Sequence, residues 1–266
     1  TIQVYKANMI IPQIAENLTR SGNCVPPKVC PVCGGETKIS MDNDTKTLYC
    51  TNPTCQAKQV KSFTLFVSRD AMNIEGLSEA TLEKLIDRGF IKDFSDIFHV
   101  ERYKEEIQKM EGFGEKSYKN LIANVEKAKV TTLPKVIYAL GIPGIGLANA
   151  KVICREFSGD VDRMIHATAE ELAEIQGVGE VLAGAFVTYF QNEKHVESLK
   201  RLLKELEIPK EEESESKQIF AGVNFVITGS VEHFANRGEV KELIESLGGK
   251  VTGSVTSKTN YLINND

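Results

Sequence analysis

Between residues 61 and 208 the apolar positions fall at helical spacing. Leu82, Leu85 and Ile86 form one set, and Leu121, Ile122 and Val125 a second. Ile153 and Phe157 form a third, and Leu182, Phe186 and Tyr189 a fourth. Steps of three and four residues place each set on one face of a helix. Ahead of each set stands a short turn in which apolar residues alternate with glycine. The segments are MNIEGLSEATLEKLI (72–86), QKMEGFGEKSYKNLI (108–122), YALGIPGIGLANAKVI (138–153) and AEIQGVGEVLAGAFV (173–187). Their first turn glycines, Gly76, Gly112, Gly144 and Gly177, lie 36, 32 and 33 residues apart. A period of that length marks a repeat. Each unit is predicted to be helix, turn, helix. Ala150 and Ala183, four residues after the second glycine of their units, are small enough for close helix approach.

The pattern changes at both ends. TIQVYK (1–6) alternates as a strand does, and MIIPQI (9–14) reads as turning away from it. TLY (47–49) has strand character. After the polar, acidic linker PKEEESESK (209–217) we read a strand at 219–228 and a helix near 236–247. A Gly248-Gly249 turn and short strands at 250–252 and 260–263 follow.

Four of the six cysteines lie in CPVCGGETKISMDNDTKTLYCTNPTC (30–55), as Cys30-x2-Cys33 and Cys50-x4-Cys55. Two close pairs joined by a hairpin-length insert match a four-thiolate zinc site. Gly34 and Gly35 allow the tight turn that aims amides at sulfur, and Asn52-Pro53 supplies a second turn. Disulfides do not suit a chain without a secretion signal, and no βαβ pattern flanks the Cys-x-x-Cys as a redox dithiol would require. Four thiolates fill a tetrahedral sphere, so the metal is expected to be structural. Cys24 is the poorer ligand candidate, and Cys154 is expected to be a buried apolar residue.

The repeated turns resemble helix-hairpin-helix motifs. Two glycines expose amides at the start of the second helix, where the helix dipole favours a phosphate. The candidate DNA-binding residues are Gly112 with Gly114, Gly144 with Gly146, Gly177 with Gly179, together with Gly76 and Lys116. Lys151 is further along its helix. Ser78 replaces the second glycine of the first unit, which weakens that unit as a phosphate site. Such contacts read no base edge and are expected to be independent of sequence. A single turn of this type could simply close an αα-hairpin; four in phase favour DNA. GFGEKS lacks the spacing of a P-loop.

Charge limits this picture. The net charge is −5, about +2 over residues 1–60, −4 over 61–207 and −3 over 208–266. Any DNA binding must therefore be local. At 41% hydrophobic the chain can build ordinary cores, and it has no apolar run long enough to span a membrane. No signal-peptide pattern opens it, so a location inside the cell is expected. It begins with Thr1 rather than methionine and is expected to be a piece of a longer protein.

Residues 218–266 resemble the first half of a BRCT domain, on Thr228-Gly229, Gly248-Gly249 and TSKTNYLI. Half a parallel sheet leaves an uncovered edge, so this part is expected to be marginally stable. Here Thr228 and Gly229 are expected to end a strand, and Ser254, Ser257 and Lys258 to be loop residues. NMIIPQI (8–14) resembles the close of an oligonucleotide-binding (OB) barrel. In this order the parts resemble the C-terminal half of the bacterial NAD-dependent DNA ligases, across essentially all 266 residues.

The resemblance implies a multidomain, mainly α chain: an OB remnant (1–22), a four-cysteine zinc finger (23–60), a tandem helix-hairpin-helix domain (61–208), a linker (209–217) and a truncated α/β BRCT domain (218–266). It implies an enzyme that seals nicks in duplex DNA in replication and repair, with NAD and Mg2+ bound outside this portion and zinc within it. It also implies a monomer in the bacterial cytoplasm, associated with the nucleoid through DNA and with no membrane partner. The adenylated lysine of that family lies in Lys-x-Asp-Gly, which does not occur here, so this portion alone is expected to be inactive. The alternative is a non-catalytic repair scaffold or a repair-nuclease subunit built on tandem hairpins; no carboxylate cluster for metal-dependent cleavage stands out.

Overall fold

A computed structural model of the chain describes residues 1–7, 10–22, 25–42, 45–209, 219–229, 231, 233–234 and 236–264, except the side chains of 42, 242 and 246. Cys24, Met9 and most of the acidic linker lie outside the described residues. The chain divides into two units, Thr1–Pro209 and Lys210–Asp266.

The first unit opens with β1 (Ile2–Ala7) and β2 (Ile11–Asn17), an antiparallel pair with Lys6 opposite Pro12. The reading that residues 9–14 turn away is thus corrected: the described part of that segment folds back on the first strand. Proline lacks only a donor, and a two-stranded ribbon offers it an edge. Next come β3 (Thr37–Asp42) and β4 (Thr45–Cys50), also antiparallel. Helix α1 (Gln56–Val67) starts directly at Cys55. A boundary at residue 60 therefore falls inside a continuous helix. The cysteine module and the helical region share α1, with no linker between them.

The helical region continues through α2 (Glu79–Asp87), a 3₁₀ helix (Phe94–Tyr103), α3 (Lys104–Gln108) and α4 (Glu115–Ala128). Then follow α5 (Leu133–Ala139), α6 (Leu147–Glu156), α7 (Val161–Ile165), α8 (Ala169–Ala173), α9 (Glu180–Phe190) and α10 (Glu193–Lys204). The periodic apolar faces meet in one core, with Leu82, Leu121, Ile153, Ala150 and Ala183 fully buried and Cys154 nearly so. Phe94 stacks on Phe66 with ring centroids 4.5 Å apart, joining the 3₁₀ helix to α1.

Helix α10 closes the unit. Arg201 forms an ion pair with Asp93 at the head of the 3₁₀ helix, and Ser198 Oγ donates to Asp93 at 2.9 Å. Just beyond, Glu207 N donates to Lys129 O (2.8 Å) and Thr131 N to Glu207 O (3.2 Å). The end of the unit is thereby fixed to the segment between the second and third hairpins.

The second unit has β5 (Asn224–Ile227), α11 (Arg237–Ser246), β6 (Lys250–Thr252) and β7 (Tyr261–Ile263). The sheet is parallel in the order β6-β5-β7 over a small core of Phe225, Val240 and Ile244. The strand expected from residue 219 begins only at Asn224. Residues 219–222 form a turn, and Gly222 has φ +79°, outside the strand region. Thr228 follows β5 directly and its amide donates to Ile263 O at 2.8 Å, the strand-ending role expected of it.

Candidate metal centre and nucleic-acid interface

The turn after Cys30 sets the first pair of sulfurs. Gly34 adopts φ +68°, its amide donates to Cys30 O (2.9 Å), and Cys30 N donates to Gly35 O (2.7 Å). This knuckle aims the Gly35 amide at Cys33 Sγ, 3.4 Å away. Strand β4 delivers Cys50, and Cys55 sits at the head of α1. All four Sγ atoms lie within 4.8 Å of one another. Cys33–Cys50 is 3.5 Å and Cys30–Cys55 3.9 Å. A tetrahedron with metal–sulfur bonds of about 2.3 Å has edges of about 3.8 Å. The cluster fits zinc, and the sulfurs are too far apart for disulfides. The Gly35 amide holds the Cys33 thiol down at about 6, and the Cys33 amide lowers Cys30. Burial pushes Cys50 up to about 12.

The module has little else inside it. Among the described residues up to 59, only Cys30 and Cys55 are buried. Val29, Val32, Ile39, Met41 and Tyr49 are all exposed.

The hairpin turns share one geometry. Gly76, Gly112, Gly144 and Gly177 have φ of +94°, +86°, +77° and +93°, where glycine is strongly favoured. The turns Met110–Phe113, Ile142–Ile145 and Ile175–Val178 are each closed by an amide-to-carbonyl bond of 2.9–3.0 Å across four residues. Glycine at the third position, and Pro143 at the second in one of them, fits type II turns.

The second glycines behave differently. Gly114, Gly146 and Gly179 are helix N-caps with φ of −98°, −82° and −83°, which any residue can adopt. A Cβ built on any of them would meet no atom within 4 Å. No side chain caps the helix behind them. Neither backbone conformation nor internal packing requires glycine there. What their bareness provides is access from outside to the first-turn amides.

Lys116 is exposed in the first turn of α4, and Lys151 lies in the second turn of α6. Glu115, at the head of α4, is drawn to Lys119 at 2.8 Å, which holds its carboxyl below the usual range. Helix α6 has no acid in its first turn, which leaves Gly146 the least repulsive site for an anion.

The first unit departs from the others. Ser78 holds the N-cap position with φ −67° and ψ 161°, and its side-chain oxygen accepts from Thr81 N at 3.2 Å. The serine was visible in the sequence. Its role follows from the free oxygen three residues ahead of Thr81, a cap signal. Asn124 and Lys84, which reach across to the turns, carried no comparable signal.

Comparison with known proteins accounts for these parts. Residues 135–199 match the model of the helix-hairpin-helix motif, which spans the third and fourth hairpins. Residues 215–266 match that of the BRCA1 C Terminus (BRCT) domain. A DNA ligase of Lachnoclostridium phytofermentans is 62% identical over 265 residues, covering 100% of this chain and 41% of that protein. The chain is homologous throughout to one segment of the DNA ligases. The DNA ligase of Ruminiclostridium cellulolyticum is 58% identical over 266 residues, and that of Thermotoga maritima 37% over 265. The chain spans about two fifths of the length of these curated relatives, 41%, 40% and 38% respectively. Among the described residues no helix is long and apolar enough to cross a membrane.

Proposed function

We propose that this chain is the duplex-gripping portion of a bacterial NAD-dependent DNA ligase. One observation carries the reading: the helix N-termini at Gly114, Gly146 and Gly179 carry no side-chain cap and no Cβ between their amides and solvent. A phosphate oxygen placed over each turn accepts from those amides, with the positive end of the helix dipole behind it. The donors are main-chain groups, so the grip is independent of base sequence. It needs no broad positive field, in keeping with a net charge of −5. Lys116 adds a screened contact of its own.

Zinc would be held by Cys30, Cys33, Cys50 and Cys55, each as thiolate. It leaves no position for substrate and supplies structure alone. With Cys55 at the head of α1, the metal fixes the direction in which the helical region leaves the module. In the whole protein, NAD supplies the adenylyl group and Mg2+ assists its transfer; no residue of this chain is assigned to those steps. The grip instead holds the two ends of a nick in register, a proximity contribution. The partner is nicked duplex DNA, bound by a monomer in the bacterial cytoplasm.

The test is a titration of labelled nicked duplexes of unrelated sequences at increasing salt. Affinity should be equal among sequences and fall steadily with salt, as counterion release requires. An affinity indifferent to salt would refute the phosphate grip.

A further inference from the structure

The four hairpins share the same fold at the turn but not the same way of satisfying their amides. In all four, the N-cap carbonyl accepts from the fourth residue on: Ser78 O from Leu82 N, Gly114 O from Tyr118 N, Gly146 O from Ala150 N and Gly179 O from Ala183 N. The positions are therefore equivalent. Only at the first does a side-chain oxygen of the chain itself take up a first-turn amide, Ser78 Oγ accepting from Thr81 N.

The first turn, exposed at Glu75 and Gly76 like the others, is also tied to α4. A Cβ on Gly76 would stand 3.9 Å from Leu121 of α4, one on Gly144 would meet Leu182 of α9 at 2.6 Å, and those on Gly112 and Gly177 would meet nothing within 4 Å. Asn124 Nδ2, on α4, donates to Glu75 O at 3.2 Å. The tie is mutual, since Lys84 Nζ of α2 donates to Glu111 O in the second turn at 3.3 Å. At the head of α2, Lys61 pairs with Glu79 at 2.8 Å.

We propose that the first hairpin is a brace and not a phosphate site. Ser78 supplies from within the chain the oxygen that a DNA phosphate supplies at the other three turns. The turn itself seats on α4 and holds the second hairpin in the orientation it presents to DNA. DNA then meets this chain at three hairpins, and Gly76 is retained for the turn alone. The inference rests on the reading of the bare glycines as phosphate sites.

One substitution made at four equivalent positions tests it. Aspartate is a good N-cap, so Ser78→Asp, Gly114→Asp, Gly146→Asp and Gly179→Asp should all fold, with thermal unfolding as the check. Each places a negative charge where a phosphate would sit. Binding to a labelled nicked duplex should weaken about tenfold or more at 114, 146 and 179, from like-charge repulsion and the filled amides. At 78 it should change by less than about twofold, because no phosphate approaches there. A loss at Ser78→Asp comparable to the other three would overturn the brace and leave the phosphate reading intact. No loss at any of the four would overturn the phosphate reading, and the brace with it.

Discussion

Removing the metal should unfold the cysteine module and leave the hairpins standing. Up to residue 59, the described residues bury only Cys30 and Cys55. Two small side chains withdrawn from water supply on the order of 2 kcal/mol, against an ordering cost of about 1–2 kcal/mol for each residue fixed. Some twenty-five residues between the outer cysteines cannot be held on those terms. Zinc in four-thiolate and related sites supplies about 10–16 kcal/mol, far more than the burial of those two side chains. The helical region has its own continuous core from Phe63 to Leu202 and does not depend on the ion. Amide hydrogen exchange with and without a chelator reads both regions at once. Protection across Thr37–Asp42 and Thr45–Cys50 should vanish on chelation, while that of Glu115–Ala128 and Leu147–Glu156 should persist. Unchanged protection in the two strands would show that the module folds without metal.

Three further outcomes follow from the geometry. Gly144→Val forces a β-branched residue to φ +77° with its Cβ 2.6 Å from Leu182 Cδ2, and should cost about 2–4 kcal/mol in thermal or urea unfolding; a stability equal to wild type would refute the clash. At Asp93, burial favours the neutral acid, but hydrogen bonds from Arg201, Ser198 and the Ser95 amide outweigh it and hold the carboxyl below its ordinary 3.8. Its contribution is therefore full above pH 4 or so and lost as pH falls through the lower folded value. Asp93→Asn should destabilise by about 1–3 kcal/mol at neutral pH, with the difference shrinking in acid; a constant difference would refute the linkage. In the second unit, amides from Val226 to Thr228 should exchange faster than those of α4, since among the described residues the unit's buried cluster is small, Phe225, Val240 and Ile244 with partly buried neighbours; strong protection there would show it to be independently stable.

The hairpins were legible because two periodicities coincide in them. Glycine at the positive-φ position marks the turn, and apolar residues at steps of three and four mark the helix that follows. The sulfur cluster was legible because ligand spacing in a small module is local. The pairing of β1 with β2 was not, because Pro12 reads as a break and only the partner strand shows that its missing donor falls harmlessly. Gly222 cut short the strand expected from residue 219 for a similar reason: local apolar character does not reveal φ. Least legible was α10. Its sequence describes an amphipathic helix and nothing in it names Asp93, which lies 108 residues away from Arg201.

That distance bears on how the chain reaches this fold. Each hairpin joins segments close in sequence and can form quickly, since short loops close at little entropic cost. The bonds from Arg201 and Ser198 to Asp93, and from Glu207 to Lys129 and Thr131, span far longer loops. They complete the helical unit only after the residues around 207 have been synthesised. Until then the common core lacks Leu199 and Leu202, the buried residues that α10 contributes. Folding on the ribosome should accordingly end with the docking of α10, and a chain stopped before Glu193 should show helices without the cooperative unfolding of the finished unit.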